Sequence, residues 1–177
     1  MAQMTQTEIK RVWMESDLDF MLGNRAFLML RNMGFFDAPA SRNFHGNYAG
    51  GLFEHSYAVM QSLIKLTENN GLVWMRKQSP YVVGLLHDLC KCDLYRLDGD
   101  EYKHNSDTLF KGHGYKSVLV ASQILQLTEE EVACITYHMG AFTEKEEWGD
   151  YTRAIQKYPN VLWTHTADMI ASHIMGV

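Results

Sequence analysis

The sequence predicts an all-α fold carrying one small β-hairpin. Three observations predict it. Apolar residues recur at three- and four-residue spacing along most of the chain, the period of a helix with one buried face. Only 3 of the 177 residues are proline, and no Ser/Gly linker, repeat or low-complexity run divides the chain. A single segment, DLYRLDGDEYKHN (93–105), sets Asp98-Gly99 between two short runs with aromatic residues, which reads as a hairpin. A chain of this length suits one domain with a core of its own.

The elements follow in order. Residues 5–15 form a short helix with Ile9, Val12 and Trp13 on one side. Residues 17–33 read as a second helix, with a stripe through Leu18, Leu22, Met29 and Met33. GFFDAPASRNFHGNYAGG (34–51) is rich in Gly, Asn and Pro and reads as a loop. A third helix spans 52–67, and its stripe of Leu52, His55, Val59, Leu63 and Leu66 points His55 at the core. Ser79-Pro80 is a helix start, with Ser as N-cap and Pro in the first position, and that helix carries YVVGLLHDLCK. After the hairpin, 114–125 reads as helix with Tyr115, Val118, Leu119, Ser122 and Leu125 on one face. Thr128 with Glu131 is a capping box that opens the next helix. Residues 143–158 are polar and irregular or partly helical. Pro159 opens a last helix to about Ile174, on which His165, Asp168 and Ser172 share a face.

Composition excludes several classes. With 16 basic and 21 acidic residues the net charge is −5, so the chain lacks the cationic surface that long duplex DNA requires. The three cysteines, Cys90, Cys92 and Cys134, form no disulfide framework and suggest reduced thiols and a cytoplasmic location. Cys90 and Cys92 make a C-x-C with no second pair to complete a four-ligand zinc site. MAQMTQTEIKRVW has no apolar signal region, and no apolar run reaches the length of a membrane span.

The chemistry lies in LLHDLCK (85–91). His87 and Asp88 stand among Val82, Val83, Leu85 and Leu86. His55 is on a core stripe, His138 follows Val132 and Ile135, and Asp168 lies between Ala167 and Met169. A buried carboxylate is costly unless it is paired or bound to a metal. Several buried imidazoles and two buried carboxylates are most simply explained by a shared divalent cation, for which both ligand types are suited.

His55, then His87-Asp88, then Asp168 resembles the H…HD…D signature of the HD-domain metal-dependent phosphohydrolases. In detail the chain resembles the HD domain of bacterial 3′–5′ exoribonucleases and their stand-alone relatives. The matching stretches, in the family's order, are APASRNFHGNYAGGLFEHS (38–56), LLHDLCK, GHG (112–114), YHMG (137–140), EEWGD (146–150) and HTADMIAS (165–172). The resemblance implies a single HD domain over 1–177, with 1–37 supplying helices packed on an HD core of 38–177. It implies a helical bundle holding one or two divalent ions, Mn, Fe, Ni, Co, Zn or Mg. His55, His87, Asp88 and Asp168 would hold the metal, with Asp88 bridging if two bind. His113 and His138 would complete a second site or contact phosphate. Lys91, three residues after Asp88, matches HD-x-x-K and would act with Asp88 in catalysis while holding a substrate phosphate. His45 would line the pocket and bind substrate. EEWGD places Trp148 near the pocket rim.

The chain departs from the family's pattern at Met139, where relatives often show a second His, and at Gly46-Asn47, where they show HHAY. Cys90 stands where one variant of the motif has Gly, and no OB-like module precedes Ala38. The resemblance therefore implies hydrolysis of a phosphoester in a nucleotide or a short RNA end. The alternative is a metal-stabilised nucleotide-binding or regulatory module without turnover, and a di-iron oxygenase is a third reading that Met139 counts against. His104 and His173 carry no role in this reading, and oligomeric state stays open.

Overall fold

A computed structural model describes residues 4–177; the first three residues of the domain read from the sequence lie outside the described residues. Among the described residues there are nine α-helices and one two-stranded antiparallel hairpin, the helical bundle with a small hairpin that the sequence predicts. No helix is long and apolar enough to cross a membrane.

Helix α1 (Gln6–Glu15) starts at Thr5, whose side chain and that of Glu8 form a reciprocal capping box. Ile9 and Trp13, one turn apart, are its buried residues. The expected helix over 17–33 is two helices, α2 (Leu18–Leu22) and α3 (Ala26–Asn32). The break is at Gly23, at φ +98°, a conformation glycine adopts without a Cβ penalty. The turn realigns the buried stripe onto Leu18, Leu22, Ala26 and Leu30. Residues 34–50 are irregular, as expected, yet Phe35 and Phe36 are core residues. Phe36 meets Trp13 and Phe53 edge-on.

Helices α4 (Gly51–Asn70) and α5 (Ser79–Leu86) form the central pair. Leu52, Phe53 and Met60 of α4 join α1–α3 in one apolar cluster, and Ala58, Val59 and Leu63 face a second one with Cys134, Ile135, Val161 and Ala167. At Gly84 a Cβ would overlap the Met60 backbone, so glycine sets how closely α5 approaches α4. Ser79 is not the cap that the sequence suggests. Gln78 holds that position without a side-chain bond, and the Ser79 hydroxyl donates to Glu131 Oε1 at 2.8 Å.

The chain leaves α5 at the chemically important point. The helix stops at Leu86, Asp88 sits at φ −110°, ψ 18°, and a 3₁₀ turn covers Leu89–Cys92. LLHDLCK is therefore a helix end followed by a tight turn, not helix throughout. Strands β1 (Tyr95–Asp98) and β2 (Glu101–His104) pair with Asp98 opposite Glu101, so Gly99-Asp100 is the two-residue turn. Helix α6 (His113–Ala121) buries Gly114, Lys116, Ser117 and Ala121, whereas the predicted stripe leaves Tyr115 and Leu119 exposed. The cause is close packing on α7 (Glu129–Thr136), where a Cβ on Gly114 would strike the Thr136 carbonyl. The Thr128–Glu131 capping box is present. Helix α8 (Trp148–Lys157) follows a short 3₁₀ turn, and α9 (Asn160–Met169) widens into a π-helical turn, Ile170–Met175, instead of running on as α-helix.

Candidate metal centre

The site is assembled around Asp88. His55 comes from α4, His87 from the end of α5, His113 from the start of α6, His138 from just beyond α7 and Asp168 from α9. Folding brings together all six residues that the sequence suggests as ligands. His55, His87 and His138 are buried to 1% exposure or less and Asp88 to 2%. His113 is the most open of the four histidines, its side chain 30% exposed.

The histidines are oriented from behind. The Nδ1 atoms of His55, His87 and His138 lie 2.9, 2.9 and 2.7 Å from the carbonyl oxygens of Val177, Gly84 and Ile135. A carbonyl only accepts, so each ring carries its proton on Nδ1 and presents the Nε2 lone pair inward. Inward they meet carboxylates. His55 Nε2 is 3.6 Å from Asp88 Oδ2 and 3.2 Å from Asp168 Oδ1. His87 Nε2 is 3.4 Å from Asp88 Oδ2. His113 and His138 approach the other oxygen, Oδ1, at 2.8 and 3.5 Å. Asp88 thus shows one oxygen to each half of the cluster.

These approaches are not hydrogen bonds. His55 Nε2, His87 Nε2 and Asp88 Oδ1 are buried without a hydrogen-bond partner. An unpaired buried polar atom costs about 1–3 kcal/mol, and three at one spot require a reason. A cation supplies it. With metal–ligand bonds of about 2.0–2.2 Å, neighbouring ligand atoms stand roughly 3.0–3.5 Å apart, close to the spacing seen here. Candidate sets of three are His55/His87/Asp88, His87/His138/Asp168 and Asp88/His113/His138. Nitrogen and carboxylate donors with carbonyls behind the rings fit a divalent metal and the outer support such sites require.

Charge is arranged to suit. Burial works against ionised Asp88, but Lys91, 2.6 Å from Oδ2, together with His87 and His113 holds its carboxyl well below the usual range. Asp168 is likewise held low: burial opposes ionisation, and His55 and the neighbouring imidazoles outweigh it. Burial pushes His87 down. Burial also works against the charge on Lys91, yet Asp88 carries it above its ordinary value.

A cavity of about 270 Å³ opens onto the cluster, with Asp88, Lys91, His45 and Asp168 in its walls. The His45 ring is 4.8 Å from that of His55, and burial lowers its pKa to about 4, so it is neutral near pH 7. Trp148 does not line this cavity. Its Nε1 donates to the Thr143 carbonyl, and Phe142 lines the wall instead. Two further histidines are present that the sequence reading left without roles. His165 has Nδ1 2.9 Å from the His138 carbonyl, and the signal for it was its helical face shared with Asp168. His173 is brought to the wall by the π-helical turn, which no sequence spacing announced.

An all-helical bundle that gathers buried imidazoles and carboxylates from five segments defines a metal-binding protein with an accessible centre. The model of the HD domain family matches residues 52–171, from α4 to the π-helical turn, and the chain belongs to that family. HD domains are generally metal-dependent hydrolases. Searches of curated proteins and of solved structures found no match.

Proposed function

We propose that the protein is a metal-dependent phosphohydrolase that cleaves a phosphoester in a nucleotide or at a short RNA end. The observation that carries this reading is the set of unpaired buried atoms around Asp88, open on one side to a cavity that also holds Lys91. His55, His87, Asp88 and Asp168 would hold one divalent ion, and His113 and His138 with Asp88 a second. The ion, when bound, would lower the pKa of water and polarise the phosphoryl group.

The chain's own residues would do the rest. Asp88 bridges the two halves and holds Lys91 charged, and Lys91 is placed to neutralise a phosphate oxygen. Neutral His45 offers a hydrogen bond to phosphate or base without adding charge. Phe44 and Phe142 line the same cavity and are 81% and 66% exposed, which supports a substrate with a base to stack. The net charge of −5 supports a small substrate over long duplex DNA. The likeness to the exoribonuclease HD domain supports an RNA end as one candidate. The three free cysteines support a cytoplasmic setting.

One observation favours the second reading, a nucleotide-binding module without turnover. Met139 lines the cavity where relatives often carry His, and it offers no hard ligand. The test is to strip the protein with chelator, reload it with Mn²⁺, Zn²⁺ or Mg²⁺, and assay bis-p-nitrophenyl phosphate, nucleoside monophosphates and short oligoribonucleotides. Hydrolysis by the reloaded protein, lost in Lys91→Ala at unchanged metal content, is the expected result. Nucleotide binding with no turnover under any metal would overturn it in favour of the binding module.

A further inference from the structure

Four histidines point Nε2 at the centre, and three of them are held alike. His55, His87 and His138 each donate from Nδ1 to a backbone carbonyl, which fixes one tautomer. His113 differs. Its Nδ1 lies 3.2 Å from the Sγ of Cys90, a buried thiol. A thiol both donates and accepts, weakly in each direction. Cys90 is itself anchored, its backbone N–H donating to Ser117 Oγ at 3.1 Å, and Ser117 donates to the His113 carbonyl at 3.2 Å. The thiol and the ring are therefore held face to face by α6 itself.

We infer that Cys90 is a positioning residue that leaves His113 free to take either tautomer, making His113 the exchangeable member of the centre. With the thiol accepting, His113 presents a lone pair on Nε2 and joins Asp88 and His138 as a ligand. With the thiol donating, Nε2 carries the proton and faces Asp88 Oδ1, 2.8 Å away, so His113 is a hydrogen-bond donor to that carboxylate and not a ligand. The exposure of His113 fits this double use, since it lines both the centre's cavity and an adjoining one of about 290 Å³. His138 has no such freedom, because Ile135 holds its proton on Nδ1. The second metal position is accordingly the weaker of the two, and its strength depends on Cys90.

This inference rests on the metal-centre reading, and its test does not use hydrolysis. Imidazole ¹⁵N–¹H correlation spectra of the metal-free protein should show His55, His87 and His138 with the proton on Nδ1, and His113 with Nε2–H or an average of the two tautomers. Zinc should convert His113 to the Nδ1–H form. Cys90→Val keeps an apolar side chain, one methyl group larger, and removes the hydrogen bond; it should weaken the second zinc about tenfold and leave the first within about twofold. Cys90→Ser, which restores a donor and acceptor, should recover the second site to within about threefold. A His113 already fixed as Nδ1–H without metal overturns the inference, as does zinc uptake that leaves its ring unchanged. Equal losses in Val and Ser variants, with His87 and His138 signals in place, would mean that Cys90 only fills space, which also overturns it. Failure to bind zinc at all overturns the metal-centre reading itself.

Discussion

Two clusters of buried charged and polar groups lie within this bundle, and they are built on opposite principles. One joins Glu130 and Glu131 at the start of α7 to the segment before α5 and to α9. Glu131 is fully buried, yet it accepts from Arg76 Nε at 2.8 Å and Nη2 at 2.7 Å, from the Ser79 hydroxyl at 2.8 Å and from the Thr128 backbone N–H at 2.8 Å. Glu130 accepts from the Met75 N–H and from Asn160 Nδ2. The other is the His/Asp centre, where buried Nε2 and Oδ1 atoms have no hydrogen-bond partner. Burial alone does not separate them. Satisfaction does. A cluster whose polar atoms are paired is a clasp, and one whose polar atoms converge unpaired is suited to hold a ligand.

The contrast makes predictions, the largest first. Glu131→Leu should destabilise the protein by about 3 kcal/mol, because Arg76, Ser79 and the α7 cap lose their acceptor together. Denaturant unfolding would show it, and metal content per folded chain should be unchanged. If the variant is as stable as the wild type, the clasp is no scaffold. Removing metal with a chelator should lower the melting temperature by the equivalent of about 2–3 kcal/mol at an ion concentration near 100 times Kd. A centre indifferent to chelator would erase the distinction between the clusters.

His87→Leu should invert the behaviour of Glu131→Leu. It should lose metal, read by elemental analysis, yet leave the metal-free protein within about 1 kcal/mol of its stability, since deleting the unpaired Nε2 offsets the lost bond from Nδ1 to the Gly84 carbonyl. A marked loss of metal-free stability would show that Nε2 of His87, too, is paired within the fold. The smallest effect concerns His45. Its pKa is lowered from 6.5 to about 4 in the folded chain, so between those values the unfolded chain takes up the proton first. Stability conferred by neutral His45 is complete above pH 6.5 and is lost as pH falls toward 4. In the metal-free protein, His45→Gln should shrink the difference in melting temperature between pH 7 and pH 5; an unchanged difference would leave His45 without that role.

Much of this was legible without coordinates, and the reasons are local. The capping boxes at Thr5 and Thr128 are written within four residues, so they appear as the sequence implies. The hairpin follows from Asp98-Gly99, and the placement of His55 follows from the period of α4. Apolar neighbours around His87, Asp88 and Asp168 were enough to suggest a buried ion, because burying those groups without one is costly.

Tertiary structure decided the rest. The break at Gly23, the exposed face of α6 and the burial of Phe35 and Phe36 depend on how closely neighbouring helices approach, which no helical period encodes. Ser79 gives its hydroxyl to Glu131 because a residue 52 positions away was there to receive it. The sequence by itself determined which residues would gather: a few imidazoles and carboxylates among apolar neighbours can be afforded only together. Only the tertiary structure decided how they face one another. It set carbonyls behind three imidazoles, a thiol behind the fourth, and one oxygen of Asp88 toward each half. The carbonyls of Gly84 and Ile135 lie only three residues before His87 and His138, but the Val177 carbonyl behind His55, the Cys90 thiol behind His113 and the approach of His113 to Asp88 join atoms far apart in the chain, fixed by packing of the elements that carry them.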